Sequence, residues 1–302
     1  MQDFNSLIDL FAAFPDEQSC INHLEHLRWN GVVISPFDPT SKVYKCKDNK
    51  YRCKNTGKYF NVKTNTLFDS SKIELRKWFA AIWLVTSHKK GISSLQLSRD
   101  IDVTQKTAWF MLQRIRNCLG IENNDDLNNT VEIDETYVGG KNKNRHNSKK
   151  VDGIQGRSVK DKTPVLGMVE RKGKLVAKVV KNTTCEVLTP QIVKFVKDAL
   201  VYTDEWWGYN SIKKLFRHDY VNHRTSEYVR GNVYTNTIEG FWSLLKRGII
   251  GIYHFTSKQH LQRYVDEFAF RYNTRKYTES GRFNILLRNT EHRLTYKELI
   301  YG

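Results

Sequence analysis

The sequence predicts an α+β chain with α/β character in its second half: a small mixed head, a helical segment, and a mixed sheet with helices between its strands. Three observations carry this. Residues 42–66, KVYKCKDNKYRCKNTGKYFNVKTNT, alternate polar with β-branched or aromatic residues around turn signals, the pattern of a short meander. Residues 71–119 hold helical apolar periodicity broken by short turns. From residue 130 onwards, strand-like β-branched runs alternate with helical ones in the order βββ-α-β-α-β-α. The implied division is a head over 1–65, a helical segment over 66–122, a sheet-bearing domain over 129–278 and a tail over 279–302.

In the helical segment, Ser71 and Glu74 have capping-box spacing and open the amphipathic run IELRKWFAAIWLVTSHKK, which Gly91 ends. Ser93 with Gln96 makes a second box, and Ile92 with Leu97 a hydrophobic staple. A turn around Asp102, Val103 and Thr104 leads into QKTAWFMLQRIRNCL, where Ala108, Leu112, Ile115 and Leu119 share one face. Helix, short turn, helix is the helix-turn-helix pattern. In that arrangement the second helix enters the major groove and sets Gln105, Lys106 and Thr107 nearest the bases. A plain packing or dimerisation module is the other reading of three short helices.

After the polar linker IENNDDLNNT come three strands, TVEIDETYVGG, PVLGMVERKG and KLVAKVVKN, the last two joined across Lys172 and Gly173. Thr189 then caps a helix, QIVKFVKDAL, with Pro190 at its first position. LVYTDEW is a fourth strand, SIKKLF a short helix and DYVNHRT a fifth strand. The stretch 141–162 carries eight Lys or Arg and is expected to help position DNA.

At 302 residues, with 39% hydrophobic and 12% aromatic content, the chain can bury a core in two or three domains. A formal charge of +17 calls for a polyanionic partner, because displacing counterions from phosphates rewards it. No run approaches the roughly 20 apolar residues of a membrane span, and no membrane partner is expected. The N-terminal apolar stretch lacks a preceding basic region, so a secretory signal is not expected. Five scattered cysteines (Cys20, Cys46, Cys53, Cys118 and Cys185) read as reduced thiols. A DNA-associated protein of a bacterial cytoplasm is the expectation, or of the nucleus in a eukaryote.

Four residues concentrate the chemistry. Asp134 in VEIDETYVGG and Asp204 in VYTDEWWGY each end a β-branched run, which delivers a carboxylate to a sheet edge. Glu239 opens the helix-like stretch TNTIEGFWSLLKRG, and Lys246 follows seven residues on, about 10 Å along the same face. Ser243 falls in that sector and Asn236 on its edge, while Phe241, Leu244 and Leu245 face the other way. Phosphodiester cleavage needs an activated oxygen nucleophile and stabilised charge on phosphorus, which two divalent ions held by carboxylates supply. Mg²⁺ keeps several waters, so Asp134, Asp204 and Glu239 suffice as ligands for two ions, with Mn²⁺ as an alternative. Lys246 suits a phosphate near the cleavage point, with Arg247 beside it on DNA. Trp206, Trp207 and Trp242 can stack on unpaired terminal bases. Glu132, Glu135 and Glu205 are expected on the opposite sheet face and are read as non-ligands.

The strings LRWNGVV, KIELRKWFAAIWL, VEIDETYVGG, YTDEWWGY, NTIEGFWSLLKRGIIGIYH and LQRYVDEFAFRYNTR together resemble the DDE insertion-sequence transposases, over nearly the whole chain. The group in question has a zinc-ribbon head, a helix-turn-helix and an RNase H-like domain carrying Asp, Asp, Glu or Asn, and Lys. Eukaryotic Merlin transposons share that catalytic domain. The resemblance implies carboxylate roles for Asp134, Asp204 and Glu239 and the lysine role for Lys246. Since some members use Asn in third place, Asn236 is a second candidate there. It further implies a transposase that binds double-stranded DNA, both its element's terminal inverted repeats and target DNA, as a homodimer or larger assembly.

The head departs from the group's pattern. Ser35-Pro36-Phe37-Asp38 stands where a Cys-Pro-x-Cys knuckle is usual, and Cys53-Lys54-Asn55-Thr56-Gly57 where Cys-x-x-Cys-Gly is. One thiolate of four remains, and Cys46 is too far from Cys53 to form a knuckle with it, whereas a closed zinc site takes four ligands. A degenerate ribbon without structural Zn²⁺ is therefore expected, held by Tyr44, Tyr51, Tyr59 and Phe60. Two rival functions remain on the sequence: a DNA-binding regulator without catalysis, and an RNase H-like nuclease that cuts without joining.

Overall fold

The computed structural model describes residues 4–140, 146–150 and 158–301. Most of the basic stretch 141–162 (residues 141–145 and 151–157) thus lies outside the described residues. The chain divides into two compact units, Met1–Leu119 with Lys276–Gly302, and Gly120–Arg275.

The first unit opens with two helices that the reading of a small mixed head did not specify, α1 (Leu7–Ala13) and α2 (Glu17–Trp29). Asp16 starts α2 with reciprocal bonds to Ser19, a capping box with Ser in place of Glu. The meander follows as β1 (Val43–Lys45), β2 (Tyr51–Cys53) and β3 (Tyr59–Phe60), all antiparallel. Period-two alternation divides the four expected aromatic anchors. Tyr51 and Phe60 are buried, stacked at 5.7 Å, and meet Trp29 edge-on. Tyr44 and Tyr59 lie opposite Arg52 on the outer face and are exposed, so they do not hold the sheet.

Helix α3 (Leu75–Ser87) is apolar on nearly every side and buried accordingly. The expected Ser71–Glu74 box does not form. Glu74 sits at the cap without a side-chain bond, and the Leu75 N–H is taken at 2.6 Å by Glu17 of α2. Helix α3 also ends at Ser87, four residues before Gly91, which adopts φ +92° in the following turn. Ser93 caps α4 (Ser94–Asp100) through the Gln96 N–H, while the Gln96 side chain turns to Asp100. Helix α5 (Gln105–Leu119) buries Ala108, Leu112, Ile115 and Leu119 as its period predicts. Rings of Phe4, Phe14, Phe79 and Phe283 meet edge-on at 4.9–6.0 Å, each such pair contributing about 1 kcal/mol beyond its buried area.

The second unit contains a five-stranded mixed sheet in the order β6-β5-β4-β7-β8. Its strands are β4 (Leu127–Val138), β5 (Thr163–Glu170), β6 (Leu175–Val179), β7 (Val196–Thr203) and β8 (Arg217–Tyr220). The first three are antiparallel, and β7 and β8 run parallel to β4. The helix expected over QIVKFVKDAL is displaced at both ends, and its cap is Thr184 rather than Thr189. Helix α6 is Cys185–Phe195 with Pro190 inside it, and Val196 already begins β7. Val196 and Ala199 pair with β4, so the ladder claims a segment whose spacing suits a helix equally well.

Val131 and Ile133 face Leu188 and Ile192 of α6. Val138 faces the opposite layer, formed by α7 (Asn236–Gly248) and α8 (Leu261–Asn273) through Phe241, Leu245, Val265 and Phe268. A π-helical turn, Ile249–Tyr253, extends α7. Two further helices of the first unit, α9 (Glu279–Arg288) and α10 (Tyr296–Tyr301), complete the chain. Among the described residues no helix is long and apolar enough to cross a membrane.

Candidate active site

Strands β4 and β7 are parallel neighbours, so acids beyond the same point on both emerge together. Glu132 pairs with Tyr202, and Asp134 and Asp204 lie two residues further on along each strand. Asp134, Asp204, Glu239 and Lys246 line one open cleft of about 330 Å³, together with Glu135, Thr136, His223, Trp242 and Ser243.

Asp134 sits opposite Gly167 of β5 and accepts a hydrogen bond from the indole N–H of Trp242 at 2.9 Å. Gly167 makes that contact possible, since a Cβ there would lie 2.5 Å from the Trp242 ring and 2.7 Å from Ile238. Trp242 is consequently 4% exposed and packed in the α7 layer, closed to a DNA base. The ring expected to stack on DNA is thus buried in this structure, with its N–H on Asp134. Trp206 donates its indole N–H to the Thr183 carbonyl and packs against the α6 layer, whereas Trp207 is half exposed beside it.

Asp204 is buried and accepts the Trp206 backbone N–H at 3.0 Å. Glu239, in the first turn of α7, is exposed and takes the Thr235 hydroxyl at 3.0 Å. Asn236 starts the same helix, also exposed. Lys246 and Ser243 follow on the cleft side, while exposed Arg247 turns its guanidinium back to the Ser243 carbonyl at 3.2 Å.

Two placements escaped the sequence reading. His223 enters the cleft with Nε2 3.8 Å from Glu239, carried on a short 3-10 turn whose first N–H is held by Glu205 at 2.9 Å. Its residue type was visible, but no spacing ties position 223 to the acids. Glu132 lies on the same sheet face as Asp134, not the opposite one, because residues two apart in a strand share a face. It is fully buried and accepts from Arg171, from the Thr237 hydroxyl, and from the Thr237 and Ile238 backbone N–H groups. Glu132 is thus committed to structural contacts. Glu135 does face the other way and accepts the Tyr209 hydroxyl at 2.6 Å.

Burial, followed by the neighbouring charges of Glu135 and Asp204, raises the Asp134 carboxyl well above the usual carboxylate range. Burial and the same acids push the Tyr209 phenol up as well. Negative charge here is under-compensated, and a hard divalent cation would relieve it, so the oxygen-only donor set of Asp134 and Asp204 fits such an ion. Glu239 belongs to the cleft but is turned to Thr235 and His223. Among the described residues no group of three or more His, Cys, Asp or Glu side chains is arranged to hold a metal.

In the first unit, Gln105, Lys106 and Thr107 form the first turn of α5. Gln105 donates to the Ser94 hydroxyl at 2.8 Å, Lys106 lies over the Tyr296 ring, and Thr107 bonds Thr104. In the head, Asp38 accepts from Thr40 and, at 2.7 Å, from Asn55, so a hydrogen bond joins the two knuckle-like loops. Burial pushes the Cys53 thiol up, but hydrogen bonds with Ser35, Ser41 and Thr56 outweigh it and bring it down to about 6.

Residues 126–273 match the sequence model of the ISXO2-like transposase domain. The chain is also 30% identical over 274 residues to an uncharacterised protein in the transposable element ISH50 of Halobacterium salinarum, covering 85% of this chain and 91% of that one. The class is therefore that of transposases. The chain belongs to the DDE-type insertion-sequence transposases.

Proposed function

We propose that this chain cuts DNA at the ends of its own element and joins the freed 3′-OH to target DNA. The observation that carries this reading is the convergence of Asp134, Asp204, Glu239 and Lys246 on one cleft from two strands and a helix. Asp134 and Asp204, joined by Glu239 after a side-chain rotation away from Thr235, would hold two Mg²⁺ or Mn²⁺ ions, with Asn236 as the alternative third ligand. Bound there, such ions neutralise phosphate charge and make water or a 3′-OH a competent nucleophile. Lys246 sets a fixed cation beside the phosphate oxygens, and the Trp242 N–H keeps Asp134 aimed into the cleft. Trp207 is the exposed ring available to a terminal base, and Arg247 to a flanking phosphate.

Three antiparallel strands followed by two parallel ones, with helices between, support an RNase H-like assignment for residues 129–278. Helix α4, the turn at Asp102 and helix α5 support a helix-turn-helix in which Gln105, Lys106 and Thr107 meet base edges. The head over 1–65 is read as a ribbon held by the Asp38–Asn55 bridge and the Tyr51–Phe60–Trp29 rings, with no need of zinc. Joining two DNA ends requires a homodimer or larger assembly.

The test is a strand-transfer assay on the element's terminal repeats with Mg²⁺, comparing wild type with Asp134→Ala and Asp204→Ala. Joined product from wild type and none from either variant is expected. Cleavage without joining would make the chain a nuclease, and DNA binding with no cleavage would make it a regulator.

A further inference from the structure

A charge pair between fully buried Glu132 and partly buried Arg171, one step below the acids, ties their three supporting elements together. Arg171, just after β5, donates to Glu132 at 2.7 Å and to the Asn232 and Tyr234 carbonyls at 2.8 and 2.9 Å. Its guanidinium lies between the Tyr202 and Tyr234 rings, 4.8 and 3.5 Å from their centroids. Four of the residues joined in this way lie one or two positions from a cleft acid, while Asn232 and Tyr234 lie in the segment that leads into α7. Glu132 precedes Asp134 by two on β4, Tyr202 precedes Asp204 by two on β7, and Thr237 and Ile238 lead directly into Glu239. Thr235, at the cap of α7, makes no side-chain capping bond, so Glu132 serves as that cap from the neighbouring strand.

We infer that Glu132 and Arg171 are positioning residues that fix the backbone of Glu239 relative to Asp134 and Asp204, and thereby set the affinity of the cleft for a divalent cation. This rests on the metal-dependent reading above. Glu132 fits the task because both its oxygens are used: Oε1 receives Arg171 and the Thr237 hydroxyl, and Oε2 receives the Thr237 and Ile238 N–H groups. An ionised carboxylate answers four donors, whereas a glutamine at this position would aim an N–H at one pair of them. Neither Glu132 nor Arg171 lines the cleft, and Glu132 is closed to solvent, which separates the clamp from the groups that would meet DNA or metal.

The test measures metal binding without catalysis, using Tb³⁺ luminescence sensitised through tryptophan in the full chain, with Mg²⁺ as competitor. Asp134→Ala defines the signal that belongs to the cleft. Glu132→Gln is expected to weaken Tb³⁺ and Mg²⁺ binding by about 10–100-fold, the range for loss of a group that orients a metal ligand. Its circular dichroism should match wild type, and Thr237→Val, which removes one of the four contacts, should fall between the two. Wild-type affinity in folded Glu132→Gln would overturn the clamp while leaving the catalytic reading intact. Should Glu132→Gln fail to fold, wild-type affinity in Thr237→Val overturns it equally. Absence of any Asp134-dependent signal in wild type sinks the metal-dependent reading and the clamp's role with it.

Discussion

Replacing Gly167 with alanine tests whether the Trp242–Asp134 contact is as tightly built as its geometry implies. The new methyl carbon would lie 2.5 and 2.6 Å from Trp242 ring carbons and 2.7 Å from the Ile238 terminal carbon, where ordinary contact begins near 3.4 Å. The indole must therefore retreat by about 1 Å, since β5 is an interior strand flanked by β4 and β6 and cannot give way. That retreat lengthens the 2.9 Å bond to Asp134 beyond useful range. Overpacking costs about 1–3 kcal/mol, and loss of the hydrogen bond to the buried Asp134 carboxyl adds about 1 kcal/mol. A net loss of roughly 3 kcal/mol should lower the melting temperature of a unit this size by about 6–12 °C. Thermal unfolding followed by tryptophan fluorescence reads the shift, and a strand-transfer assay at a temperature where the variant is folded reads the loss of Asp134 alignment. Trp242→Phe in the Gly167→Ala background should recover part of the stability and none of the activity. A Gly167→Ala protein melting within 1–2 °C of wild type would refute the argument.

Two further outcomes follow from buried groups. Arg114 is buried in the first unit and donates to the carbonyls of Leu67, Asp69 and Leu294, so Arg114→Ala strands three acceptors and should cost at least about 3 kcal/mol in urea unfolding. A loss below about 1 kcal/mol would mean that water replaces the guanidinium freely. Burial and like charges hold the Asp134 carboxyl above its unfolded value, so the folded chain binds more protons than the unfolded one between those two values. Its contribution is therefore fully favourable below the unfolded value near 3.8 and is lost as pH rises toward the folded one. Asp134→Asn should then melt higher than metal-free wild type at pH 7, with the gap closing toward pH 4, and Mg²⁺ should stabilise wild type alone. Equal melting temperatures at pH 7 without metal would contradict this.

The sequence by itself determined the order of most strands and helices between residues 71 and 248, though not α1, α2, α9 or α10, because apolar period is written locally. It also singled out the residues of the cleft, Asp134, Asp204, Glu239 and Lys246, through their position at the ends of such segments. Even the face of Glu132 was readable, since residues two apart on a strand must point the same way. Tertiary structure decided what local period leaves equal. Residues 196–199 suit helix or strand, and pairing with β4 made them strand. Trp242 near an acid suits a base platform or a core, and the space left by Gly167 drew it inward. His223 reached the cleft, and Arg171 reached Glu132, only through contacts between segments distant in the chain, and no spacing along a sequence records a distance across a fold.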